Sequence, residues 1–243
     1  MSELRVIPVT GLPEIETGAN LGELIAAHAE LAGGDVVVIS QKVVSKAEGR
    51  VRHLSSVIPG AEARKLAAAL GKEPALIQLI LDESAEVLRA ERGVLITETH
   101  HGFVCANAGI DTSNLPDDNT VCLLPVDPDA SARRIRAEIG AIGVVIADSF
   151  GRAWRLGQAE VAIGCAGLTP LDDWRGRADA QGRELEATQI AIADEAAGAA
   201  DLARSKDSRV PAVILRGLAR FVTTEDGPGA AALRRPRDED LFR

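Results

Sequence analysis

Aromatic side chains make up only 2% of the 243 residues, so the core of this chain must be built from Ala, Val, Ile and Leu, within a hydrophobic share of 46%. The same scarcity removes the aromatic anchors from which an interface could be located. Cysteine is equally thin. Cys105, Cys122 and Cys165 are odd in number, far apart and form no CxxC pair, which excludes a disulfide framework or cysteine zinc site and fits a reducing cytosol. No apolar run approaches the roughly 20 residues of a spanning helix. The amino terminus, MSELR and a short apolar run, is too short and too acidic for a signal peptide, so a soluble, cytoplasmic chain with no membrane role is expected. Basic residues are outnumbered 27 to 36, for a net charge of −9. That balance excludes a general nucleic-acid or anionic-membrane binder, though not a local basic pocket. GxxxxGK[ST], GxGxxG after a strand and GxSxG are all missing, so there is no Walker loop, Rossmann fingerprint or nucleophile elbow. Repeats and low-complexity linkers are absent too. The length allows roughly one to two domains, and the chain is read as a single domain over residues 1–243 with room for two lobes.

What is present alternates irregularly between strand and helix. Leu4–Val9 reads as a strand and Gly11–Ile15 as a turn with exposed backbone N–H groups. Asn20 and Glu23 have capping-box spacing before a helix over Leu21–Leu31, ended by Gly33-Gly34. Asp35–Ser40 is a strand, and Gln41–Arg50 is read as a loop, either a solvated basic turn or a holder of phosphate oxygens through its lysines. Helices are expected over 60–70, 73–92, 127–139 and 184–203, the third capped by Asp127 with Pro128 in its first turn. Gly93–Thr97 opens a hairpin with His100 and His101 at its turn, where adjacent side chains diverge and make poor paired ligands. Val121–Pro125 and Val210–Gly217 complete the strands, Gly157–Leu168 is a small-residue packing segment, and Thr224–Arg243 is expected to be a loosely held charged tail.

The chemistry centres on Val144–Arg155. Val144–Ala147 is a buried strand whose carboxyl end carries Asp148, Ser149, Arg152 and Arg155, where open α/β sheets place their ligands. Asp148 either caps the next turn or handles a metal or phosphate. With Asp111 at a second strand end and cations near Lys46, Arg152 and Lys206, hard oxygen donors suited to Mg2+ or Mn2+ lie beside bases, a combination pointing to phosphoryl transfer.

Five stretches in order, Leu12-Pro13-Glu14, VVSKAEG (43–49), ANAGIDTSN (106–114), LLPVDPD (123–129) and ADSFGRAWRLGQ (147–158), make the chain resemble the coenzyme F420-0:L-glutamate ligase family from about residue 5 to about residue 220. The resemblance is to the stand-alone form, without the nitroreductase-like domain of the two-domain enzymes. It implies a mixed α/β (α+β) fold with flanking helices and an intertwined homodimer. It also implies that GTP and two divalent metals, Mg2+ or Mn2+, with K+ as a further cation, drive amide formation between L-glutamate and coenzyme F420-0. Carried over by residue, Asp111, Asp148 and Ser149 become metal ligands, Ser149 standing where relatives usually have Thr. Leu12, Pro13, Glu14, Ile15, Gln41, Lys46 and Asn114, with Arg204, Ser205 and Lys206, match nucleotide-contacting positions. Gln41 replaces a small polar residue, and Ser205-Lys206 stands where archaeal relatives have Gly-Gln, whose Gln helps bind the second metal. Asp148, Arg152 and Lys46 are the expected catalytic residues. The implied chemistry is transfer of the GTP γ-phosphate to a carboxylate, then attack by the glutamate amine, which needs positioning rather than a nucleophilic residue. Other readings of the same residues are a ligase with another acceptor, a metal-dependent phosphohydrolase and a non-catalytic nucleotide binder.

Overall fold

Val36–Ser40 and Gly143–Ala147 lie side by side in parallel, Ser40 against Ala147, as two continuous β-branched runs covered on both faces require. They are the centre of a computed structural model that describes residues 3–113, 115, 117–205 and 207–242. In chain order its elements are β1 (Arg5–Val9), α1 (Leu21–His28), β2 (Val36–Ser40), α2 (Gln41–Ala47), β3 (Val51–His53), α3 (Ala61–Leu70), α4 (Pro74–Asp82), β4 (Ser84–Glu91), β5 (Val94–Thr99), β6 (Val104–Ala106), β7 (Thr120–Cys122), α5 (Pro128–Ile139), β8 (Gly143–Arg152), β9 (Arg155–Ala166), the short β10 (Asp172–Asp173) and β11 (Gln189–Ile190), α6 (Ile192–Asp201) and β12 (Ala212–Arg216). The fold is mixed α/β, as expected.

The main sheet runs β1-β12-β2-β8-β9, antiparallel except for the β2–β8 pair. Because side chains alternate along a strand, the sheet splits its apolar residues between two cores. Val37, Ile39, Val144, Ile146 and Ile214 face α1 and α5 through Leu21, Ile25, Ala132 and Ile135. Val36, Val38, Val145, Val213 and Leu215 face α6, which presents Ala193, Ala196, Ala197 and Ala200. Each fully covered Val, Ile or Leu contributes about 1.5–3 kcal/mol, and the alanine face lets α6 lie close to the strands. Gly164 does the same for α5: a Cβ there would sit 2.4 Å from the Pro128 carbonyl. Residues 51–122 build two smaller clusters, Ile77, Ile80 and Leu95 in one and Leu54, Leu79 and Val121 in the other.

The caps act as read. Asn20 Oδ1 accepts Glu23 N–H at 3.0 Å, and Asp127 Oδ1 accepts Ala130 N–H at 2.9 Å with Pro128 in the first turn.

Several elements differ from expectation. Residues 41–47 form a helix, α2, rather than a loop. The helix expected over 73–92 stops at Asp82, and Ser84–Glu91 becomes β4 because pairing with β5 overrides the helix propensity of its Ala, Glu, Leu and Arg. Helix α6 covers only 192–201, and residues 184–191 run outside helix, ending in β11. The small-residue segment 157–168 lies largely in β9. Thr224–Arg243 is not a loose tail over its first half: Asp129 accepts the Ala230 and Ala231 N–H groups, and Arg136 bonds Asp226 at 2.7 Å. Among the described residues, no helix is long and apolar enough to cross a membrane.

Candidate active site

Strands β1 and β2 end, and β12 begins, at one edge of the sheet. The paired strands β8 and β9 continue past it. The register of β8 to β9 shifts between Ile146 and Ala147, and such a bulge re-aims the side chains that follow. Asp148 and Ser149 are therefore not at a strand end, as the sequence suggested, but mid-strand, where β8 and β9 leave the sheet as a two-stranded arm.

A cavity of about 740 Å³ opens there. Leu12–Ile15 form one wall, and α2 supplies Gln41, Lys42 and Lys46. Asp111 and Ser113, then Asp148, Ser149 and Glu160, then Arg204–Ser205 and Asp207–Pro211 close the rest. Segments up to about two hundred residues apart thus meet at one cavity. Arg152 does not line the cavity. It is exposed at the end of the arm and donates to the Leu156 carbonyl at 2.6 Å. Asn114 and Lys206 lie outside the described residues.

Lys42 and Lys46 stand one helical turn apart, so both reach the cavity. Lys46 pairs with Glu14. Lys42, which the sequence reading did not single out, bonds Asp111 Oδ2 at 2.8 Å and the Ser113 carbonyl at 2.6 Å. Asp111 Oδ1 accepts the Ser113 N–H and hydroxyl at 2.7 and 2.8 Å. Burial raises the Asp111 pKa, but the Lys42 and Ser113 bonds outweigh it and hold the group below the ordinary carboxylate value. Its backbone is pinned by a pair of 2.9 Å bonds to Cys122. The chain reaches that bridge through three left-handed residues, Asn107, Ala108 and Gly109. For Ala108 this costs about 1–2 kcal/mol, strain of the kind retained beside functional side chains.

Across the cavity, Asp148 Oδ1 accepts Ser149 N–H at 2.9 Å. Ser149 Oγ donates to Glu160 Oε1 at 2.6 Å, and Arg204 donates to Glu160 Oε2 at 3.1 Å. The Asp148 charge also reaches Cys105: burial first, and this charge second, push that thiol up to about 12. Gln41 is buried; its Oε1 accepts Ser45 Oγ at 2.9 Å, while Nε2 has no partner among the described residues. An orphaned buried donor at a cavity wall is a place for a ligand acceptor.

Among the described residues, no three His, Cys, Asp or Glu side chains converge as a metal cluster. Asp111, Asp148 and Ser149 line the same cavity with hard oxygen atoms, the type that Mg2+ takes, usually one or two carboxylates with phosphate oxygens and water completing its shell.

This chain has a mixed sheet with a charge-lined cavity where its parallel pairing ends, the place where α/β enzymes hold their ligands. Its sequence matches the F420-0:Gamma-glutamyl ligase family over residues 11–217, and the chain belongs to that family. It is 43% identical over 251 residues to the coenzyme F420:L-glutamate ligase of Methanothermobacter thermautotrophicus, covering 99% of both chains. To the protein of the same name from Methanocaldococcus jannaschii it is 42% identical, covering 100% of this chain and 99% of the relative.

Proposed function

We propose that this enzyme joins L-glutamate to coenzyme F420-0 with GTP as phosphoryl donor, in coenzyme F420 biosynthesis. The observation that carries the reading is the convergence on one cavity of Leu12–Ile15, Gln41, Lys46, Asp111, Asp148, Ser149 and Arg204, within a full-length likeness to the ligases.

A carboxylate does not condense with an amine near neutral pH, because its oxygen is a poor leaving group. Transfer of the γ-phosphate to the F420-0 carboxylate gives an acyl phosphate. The glutamate α-amine attacks the acyl carbon, phosphate departs, and the amide remains. Divalent metal ions, when bound by Asp111, Asp148 and Ser149, would offset the negative charge on the phosphoryl group. Lys46, Lys42 and Arg204 hold phosphate oxygens, the Gln41 amide donates to the nucleotide, and the walls position the two substrates. Homodimer formation through the β8–β9 arm belongs to the same reading. The arm ends in Trp154 and Leu156, 80% and 97% exposed.

The test is incubation with GTP, Mn2+ or Mg2+, L-glutamate and F420-0, followed by mass spectrometry of the deazaflavin. Addition of one or more glutamyl residues, lost in Asp148→Ala, is the expected result. GTP hydrolysis without ligation would support a phosphohydrolase or another acceptor instead, and a phosphorylated side chain would contradict direct transfer.

A further inference from the structure

Lys42 is surrounded by oxygen. Its Nζ lies 2.8 Å from Asp111 Oδ2, 2.6 Å from the Ser113 carbonyl and 3.1 Å from Ser113 Oγ, an acceptor for each N–H group of an ammonium. The Ser113 hydroxyl gives its own hydrogen to Asp111 Oδ1, which also accepts the Ser113 N–H. Both oxygens of Asp111 are therefore engaged by the protein itself. A cation held by hard oxygens, one of them a carboxylate, is also what a small divalent ion asks of its site. Side-chain exposures of 16% for Lys42 and 29% for Asp111 leave the pair partly solvated, so it opens at modest cost.

We propose that Lys42 is a tethered stand-in for a divalent cation at Asp111: it holds the carboxylate in the unloaded enzyme and withdraws when a metal ion binds. An ammonium and a divalent ion on the same carboxylate would stand close enough to repel each other strongly, so one must go. The Ser113 bonds come from a backbone N–H and a short side chain two residues away, fixed by the local turn. Lys42 instead reaches over from α2 on a flexible four-carbon stem, and it is the partner free to leave. Once released, its ammonium stays in the cavity, where a phosphate oxygen of the nucleotide takes the place of Asp111. Metal and nucleotide then favour each other's binding, and the Asp111 carboxylate passes from one cation to another without being left bare. The inference rests on the metal reading given above.

Lys42→Met removes the ammonium and keeps most of the stem. With Asp111 open in about 1–10% of unloaded molecules, the apparent Mn2+ affinity is lowered about 10–100-fold. Lys42→Met should recover that factor in Mn2+ titrations without nucleotide, read by water-proton relaxation. Loss of any nearby positive charge also favours a cation, and the Asp111 background separates the two causes. Asp111→Asn should weaken Mn2+ binding, and adding Lys42→Met to it should restore none of the loss. A second reading needs no variant: acetylation of Lys42 in the wild-type protein, followed by peptide mass spectrometry, should be slow without metal and faster once Mn2+ alone is bound. Unchanged Mn2+ affinity in folded Lys42→Met, a gain of the same size in the Asp111→Asn background, or Lys42 acetylation unaffected by bound Mn2+ would overturn the proposal and leave the metal reading standing. Wild-type and Lys42→Met proteins that both bind no Mn2+, with or without GTP, would overturn both.

Discussion

Removing the Asp129 carboxylate is expected to unfasten the carboxyl-terminal segment and destabilise the whole sheet. Oδ1 of Asp129 accepts the Cys165 N–H at 2.8 Å and the Ala230 N–H at 2.7 Å, while Oδ2 accepts Ala231 N–H at 3.3 Å. One side chain at the start of α5 thus holds β9 on one side and residues 229–231 on the other. Cys165 and Ala230 are both fully covered, so no water replaces the lost acceptor. Bonds to a charged group contribute about 1.5–3 kcal/mol each, with the long third one adding little. Asp129→Ala should therefore cost about 3–5 kcal/mol, a large part of the roughly 5–15 kcal/mol that holds a domain together. Asp129→Asn keeps one oxygen acceptor without its charge and should lose about half as much. Urea unfolding gives the magnitude. Limited trypsin digestion at Arg234 and Arg237 reports release of the segment, with faster cleavage expected in the alanine variant. A loss under about 1 kcal/mol together with unchanged cleavage would refute the account.

Other outcomes follow from the same structure. Asp35, at the start of β2, is held by Arg216 at 2.9 and 2.8 Å and by the Ala32 N–H at 2.8 Å. Burial raises its pKa, but these bonds bring it below the ordinary carboxylate value. Its advantage over Asp35→Asn should be about 2 kcal/mol after discounting for the partly exposed Arg216. That advantage is complete above the unfolded carboxylate value of about 3.9 and shrinks as pH falls through the lower folded value; a gap between the two urea curves that stayed constant down to pH 3 would count against the pairing. Burial first of all pushes the thiols of Cys105, Cys122 and Cys165 up to about 12, 11 and 12. Native protein should resist iodoacetamide at pH 8 and alkylate at all three only after denaturation, and rapid labelling of any one of them would show its burial to be wrong. Leu156→Glu, at the tip of the arm, should shift sedimentation toward a monomer if the arm is the dimer contact, without changing thermal stability of the protomer; an unaltered dimer would place the contact elsewhere.

The parts that depend on neighbours in sequence were readable in advance. Asn20 and Asp127 cap their helices because a cap needs only residues three apart, and Val36–Ile39 could only be a covered strand. The errors fall where distant pairing decides. Residues 84–91 carry helix formers and become a strand because β5 lies beside them. Residues 157–166 carry too many small residues to look like a strand, yet their smallness is what admits α5 against Gly164. The cavity follows the same division. Asp148, Asp111 and Lys46 sit in recognisable stretches, but Glu160 becomes a partner of Ser149 only through the register of a hairpin. The tight turn implied by Gly151–Gly157 was the available signal for that register. Lys42 emerged once Gln41–Ala47 proved helical, since helical spacing brings it to the same wall as Lys46.

The order of the main sheet also governs how the molecule can be made. Strand β12 inserts between β1 and β2, so the side of Val36–Val37–Val38–Ile39 that it covers stays open until some 170 further residues have been synthesised. During that interval a short, uncharged, β-branched strand has an unpaired edge, the kind of segment that joins to its own copies. Yield from rapid expression should consequently be limited by association of nascent chains, and slowing synthesis or supplying a chaperone should raise the soluble fraction more than any change at the cavity.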